Sequence, residues 1–155
     1  MSIDVFVDAE GVRSPLGRDA VARIAQGALR AEKVRDAMLS ITMLSRRAMA
    51  KANSTHLGHS GATDVISFGF TRATPSDPVI GDIYICPDVA RENAAARGAG
   101  VREEIGRLVV HGVLHVLGHD HPVDERRESS AMWKRQEQLL RRLMMPGMMP
   151  GVKRR

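Results

Sequence analysis

The sequence predicts an α+β fold in which a small mixed sheet packs around one central helix. Three observations carry this. Stretches with strand-like alternation and stretches with helical spacing interleave along the chain. The link between the third and fourth strand-like stretches is turn-rich, with Pro75 and Pro78, and hairpin-like, which fits a mixed sheet better than a parallel one. Residues 101–117 carry Ile105, Leu108, Val109, Leu114 and Val116 on so many sides that this helix belongs at the centre of the molecule.

Taken in order, residues 3–7 alternate like a strand. Residues 17–32 place Val21, Ile24, Ala25 and Leu29 on one helical face. Residues 37–44 read as a second strand, followed by a helix to about residue 53 bearing Arg46, Arg47 and Lys51. Residues 64–70 and 80–85 are the third and fourth strands. Pro87 and Asp88 open a short helix, since proline suits a first helical turn. The apolar helix at 101–117 comes next, then a last helix over 124–143. Beyond it the two Pro-Gly breaks and Lys153-Arg154-Arg155 read as a mobile basic tail over 144–155, leaving a single domain at 1–143.

A chain of 155 residues with 43% hydrophobic content has room for one proper core. Its formal net charge of +5 and pI near 10.1 favour a polyanionic partner. The basic residues are scattered, as they are on ordinary solvated helix faces. Aromatic residues make up only 3%, which argues against a base-stacking platform and for contacts to a nucleic-acid backbone. Cys86 is the only cysteine, so no internal disulfide is possible and a reducing cytoplasm is the expected setting. Acidic residues within the first ten positions are unlike a signal peptide, and no apolar run is long enough to span a bilayer. No internal repeat is present.

The chemistry is concentrated in His111-Gly-Val-Leu-His115-Val-Leu-Gly118-His119-Asp120-His121, four of six histidines in eleven residues. Residues four apart on a helix share a face, so His111 and His115 can offer two imidazoles to one ion. Gly118 can end the helix in the left-handed conformation and swing His121 back as a third ligand. Three imidazoles without a thiolate suit a zinc ion that keeps one position open, the catalytic type of site, whose bound water can reach a pKa of about 7. A single histidine pair would more simply be helix-surface residues, but three histidines with a glycine at the turn favour the metal.

Zinc peptidases carry a glutamate directly after the first histidine as general base, and here that position is Gly112. The ligand spacing otherwise matches the long metzincin pattern. Gly112 is expected to make room for substrate or for a neighbouring strand. Asp120 is the nearest replacement base in sequence, and equally a carboxylate that orients a ligand imidazole by accepting its second ring N–H.

The block from His111 to His121 resembles the signature of the YbeY family of bacterial endoribonucleases, His-Gly-x-Leu-His-x-x-Gly-x-Asp-His. Thr63-Asp-Val-Ile-Ser-Phe68 and Gly81-Asp-Ile-Tyr-Ile85 are similar to two further family blocks in the same order. The resemblance implies a zincin-like fold and zinc ligands at His111, His115 and His121, one ion per chain. It leaves His119 at a variable position. The implied activity is metal-dependent cleavage of single-stranded RNA in ribosomal RNA maturation, at the 3' end of the small-subunit RNA, and in ribosome quality control. The implied partners are that RNA and the small ribosomal subunit, with no membrane or DNA partner expected.

The sequence departs from the family at Leu57, where many members carry an arginine associated with RNA cleavage, and at Ser60 and Ala62 in place of Asp and Pro. Arg47, Lys51, His56 and His59 are the nearby residues able to supply a cation instead. Two other function classes remain open at this stage: a metal-dependent hydrolase of another substrate such as peptide, and a noncatalytic ribosome-assembly factor with structural zinc.

Overall fold

The computed structural model describes residues 1–120, 128 and 130–144. Four strands and five helices follow in the order β1 (Ile3–Glu10), α1 (Arg18–Ala31), β2 (Ala37–Leu44), α2 (Arg46–Leu57), β3 (Val65–Gly69), β4 (Val79–Ile85), α3 (Pro87–Arg97), α4 (Val101–Val116) and α5 (Ala131–Met144). The last helix thus runs one residue beyond its expected end. Its expected first residues, 124–127, lie outside the described residues, as do positions 145–155 of the expected tail.

The strand order is β1-β2-β4-β3. β1, β2 and β4 run parallel, Val5 beside Leu39 and Leu39 beside Gly81, while β3 pairs antiparallel with β4, Ser67 beside Ile83. The sheet is therefore mixed, as the hairpin-like link predicts. In β1 the period of two continues past Val7 to Glu10, with Val5, Val7 and Ala9 turned inward and Asp4, Phe6, Asp8 and Glu10 outward.

One face of the sheet carries the main core. Leu39, Ile41, Met43, Ile83 and Ile85 meet Val21, Ile24 and Leu29 of α1 and Ile105, Val109, Val113 and Leu114 of α4. Burying a side chain of this size fully contributes roughly 1.5–3 kcal/mol. The opposite face is covered at one end by α2, through a smaller cluster of Leu44, Met49, Ile66 and Cys86. Ser45 caps α2, its Oγ accepting from the Ala48 N–H at 3.2 Å, and Gly58 ends the helix at φ 68°.

α4 is buried continuously from Glu104 to Leu114, because α1, α3, α5, β3 and β4 surround it. The expectation of a central helix is met. Three glycines let backbone and helix approach closely. A Cβ on Gly81 would stand 2.7 Å from Val116 Cγ1, and one on Gly69 would stand 2.6 Å from the Val116 carbonyl oxygen. On the helix side, a Cβ on Gly112 would stand 2.9 Å from Ile83 Cγ2. The expected reason for Gly112 is thus met in its second form, room for a neighbouring strand. No described helix is long and apolar enough to cross a membrane.

Candidate metal centre

α4 delivers His111 and His115 from one stripe, their ring centroids 4.6 Å apart and their planes at 74°. His111 is 4% exposed, and His115 lies in the half-buried last turn. The helix ends as its sequence predicts: Gly118 is left-handed at φ 97°, and the His119 N–H reaches the Leu114 carbonyl at 2.9 Å while the Gly118 N–H reaches that of His115. Asp120 follows, exposed. His121, the expected third ligand, lies outside the described residues. Among the described residues no group of three or more His, Cys, Asp and Glu side chains forms a metal-holding cluster.

His119 is turned toward α1, its Nε2 3.8 Å from Glu32, which also accepts from Arg135 at 2.6 Å. The chain just after α4 thus lies beside the C-terminal end of α1.

Behind His111 stands a network that sequence reasoning missed. Its Nδ1 lies 2.6 Å from Gln136 Oε1 on α5. Gln136 donates through Nε2 to Glu137 at 3.0 Å, and Glu137 receives Arg107 in fork geometry, at 2.9 and 3.0 Å. Arg107 also donates to Glu104 at 2.7 Å and to Glu103 at 3.4 Å. Arg97 closes on Glu104 at 3.3 Å and lies over the Trp133 ring. The only hint in the sequence is spacing: Arg107, His111 and His115 follow one another at intervals of four, and Gln136 and Glu137 break the apolar pattern of the last helix.

Electrostatically, the arrangement disposes of a problem. Arg107 places a fixed positive charge one turn from His111, which would repel a metal cation. Burial works against its charge, but the hydrogen bonds it donates to Glu137 and Glu104 outweigh that and raise its pKa. For Glu137, burial pushes the carboxyl up while the hydrogen bonds from Arg107 and Gln136 pull it down, and the net shift is downward. Both groups stay ionised and cancel locally. The residues present fit a dipositive ion: two imidazoles stand together on a buried helix, and the neighbouring cation is neutralised.

Leu57, which stands where the family resemblance leads one to expect an arginine, closes α2 and is 44% exposed. Its neighbour His56 packs edge-on against Phe68 of β3 at 5.3 Å. Arg47, Lys51 and His59 are exposed. Arg46 is paired with Glu92 of α3.

A sequence profile described as Endoribonuclease YbeY matches residues 9–144. The chain is 38% identical over 148 residues to the Endoribonuclease YbeY of Frankia casuarinae, covering 88% of this chain and 72% of that protein. It is 37% identical over 149 residues to the one of Thermobifida fusca, covering 90% and 92%, and 35% identical over 153 residues to the one of Bacillus licheniformis, covering 92% and 96%. The solution structure of a Thermotoga maritima protein superposes with a TM-score of 0.60 at 20% identity, over 90% of this chain and 88% of that one, so the two share a fold. With the profile spanning most of its length and these relatives 35–38% identical over at least 72% of their own length, the chain belongs to the Endoribonuclease YbeY family.

Proposed function

We propose that this protein is a zinc-dependent endoribonuclease that cuts single-stranded RNA during ribosomal RNA maturation, at the 3' end of the small-subunit RNA. His111, His115 and His121 hold the ion. The observation that carries the site is His111 itself: a polar side chain buried in the central helix, anchored through Nδ1 and adjacent to His115. A bound zinc ion supplies Lewis-acid polarisation of a phosphoryl oxygen and offsets the charge that develops during cleavage.

The chain's own residues supply the remainder. Asp120, exposed at the end of the ligand helix, serves as proton acceptor, or orients a ligand imidazole by accepting its ring N–H. Arg47, Lys51, His56 and His59 take the phosphate contacts that an arginine at position 57 would otherwise make. An antiparallel edge strand beside a ligand-bearing central helix supports the zincin-like reading. Residues 1–144, through the end of α5, act as the single catalytic domain and 145–155 as a basic tail. The small ribosomal subunit is the partner, and the cytoplasm the setting.

A peptidase reading loses support at Gly112. The contact with Ile83 leaves no space for the glutamate that zinc peptidases use as base at that position.

The deciding experiment is cleavage of a labelled RNA with single-stranded ends by zinc-loaded protein, beside His115→Ala purified identically. Cutting by the wild type alone supports the proposal. Equal cutting by both identifies a contaminant, and hydrolysis of a generic peptide library with RNA left intact overturns the ribonuclease reading. Loss of all folded structure on chelation, with no activity in either state, identifies structural zinc.

A further inference from the structure

We propose that Gln136, backed by Glu137 and Arg107, is a positioning residue that fixes the tautomer of His111 and so decides which ring nitrogen is offered to the metal. The inference rests on the reading of His111 as a ligand and goes one layer behind it.

The direction of each hydrogen bond follows from the chemistry of the groups. Arg107 can only donate, and it holds both carboxylate oxygens of Glu137, at 2.9 and 3.0 Å. Glu137, kept ionised, can only accept. The group that faces its Oε2 at 3.0 Å must therefore be the NH2 end of the Gln136 carboxamide. Flipping that amide would set an oxygen against a carboxylate oxygen, in a place where Gln136 is 1% exposed and no bulk water relieves the clash. With its NH2 committed, Gln136 has only its carbonyl oxygen to offer His111. At 2.6 Å from that oxygen, Nδ1 must carry the proton. The lone pair is then on Nε2, the nitrogen farther from the backbone.

A carboxamide differs here from the carboxylate that often occupies such a place. It orients the ring equally well, yet it carries no charge and takes no share of the imidazole proton. An ion held by His111 would therefore keep more of its positive charge for a phosphate.

The chain of groups also links separate parts of the fold. Gln136 and Glu137 belong to α5, whereas Arg107 and His111 belong to α4. The orientation of the ligand therefore depends on α5 being docked against α4.

The test uses the full chain labelled with 15N-histidine, first with metal removed. Long-range proton–nitrogen spectra assign the protonated nitrogen of His111 in the wild type, in Gln136→Leu and in Gln136→Glu. Zinc affinity is then measured by competition with a chromophoric chelator. The expected result is a single Nδ1–H tautomer in the wild type and mixed tautomers in Gln136→Leu, with a 10–100-fold loss of zinc affinity, the usual effect of removing such a partner. Gln136→Glu keeps an acceptor for Nδ1 and is expected to keep the wild-type tautomer where folded, at a cost in stability because its second oxygen faces the Glu137 carboxylate. Wild-type His111 protonated on Nε2 overturns the proposal, and this holds even if Gln136→Leu fails to fold. A folded Gln136→Leu with wild-type tautomer and affinity also overturns it. Wild-type protein that binds no zinc overturns the metal reading, and with it the purpose assigned to Gln136.

Discussion

Gly112 and Ile83 meet so closely that a Cβ on the glycine would stand 2.9 Å from Ile83 Cγ2 and 3.0 Å from Cδ1. Both partners are stiff, one a buried helix and the other a β-branched side chain in the middle of a sheet. Overpacking such a place costs about 1–3 kcal/mol, of which alanine's better helix propensity returns about 1 kcal/mol. Gly112→Ala is expected to be mildly destabilised in urea titration, and Gly112→Glu not to fold stably. A Gly112→Glu protein that folds well and cleaves peptide would contradict this packing.

Arg107 is the cation on which the interior network converges, beside a Glu104 carboxylate that is 1% exposed. Removing one partner of a buried pair typically costs about 3–5 kcal/mol, because the other charge stays buried. Arg97 remains 3.3 Å from Glu104, so Arg107→Leu is expected near the lower end of that range. The exposed pair Arg18–Asp8 offers the contrast: Arg18→Ala should change stability by less than about 1 kcal/mol. Denaturant midpoints of the two variants check the difference.

Glu137 has its pKa lowered below the ordinary 4.5 in the folded state. A carboxyl of this kind contributes stability that is fully present above its unfolded pKa and is lost as pH falls through the folded one. Wild-type stability should therefore decline from about pH 4.5 downward. In Glu137→Gln that part of the acid sensitivity should be absent, as measured by thermal unfolding across the acid range.

Zinc should stabilise the native chain by mass action. At a free concentration a hundred times its dissociation constant the gain is about 2.7 kcal/mol. The shift in melting temperature on adding zinc should appear in the wild type and largely vanish in His115→Ala. An equal shift in both would place the bound metal elsewhere.

Leu57 sits in the exposed last turn of α2, so Leu57→Arg should change stability by no more than about 0.5 kcal/mol. If the phosphate of a bound RNA passes this point, the variant should bind single-stranded RNA more tightly and cut it faster. Its salt dependence should steepen by about 0.7 in logarithmic slope for one added contact. An unchanged slope would take RNA away from this end of the helix.

Much of this was legible from residue spacing. β2 was readable to the residue because its buried apolar residues alternate from Ala37 to Met43, with a break only at Leu44, and α4 because its apolar residues surround it. The extension of β1 to Glu10 was not, since Asp8 and Glu10 gain their strand conformation only from parallel pairing with Thr42 and Leu44. At the candidate site, local spacing brings His111 and His115 together, as helix geometry requires. The role of Gln136 is invisible in sequence: it stands 25 residues from His111, and only the docking of two helices brings them within 2.6 Å. The missing space at Gly112 likewise depends on a strand 29 residues earlier in the chain.

The contact between Val116 and the two strand glycines, Gly69 and Gly81, fixes how close the end of α4 can come to the sheet, and His115 is the residue just before it. A side chain at either glycine lifts that helix end and carries an imidazole with it, although no donor atom has been altered. A genetic screen for inactive alleles should therefore recover the glycines of β3 and β4 alongside the histidines. Those alleles would look like active-site lesions in an assay and like sheet lesions on the map.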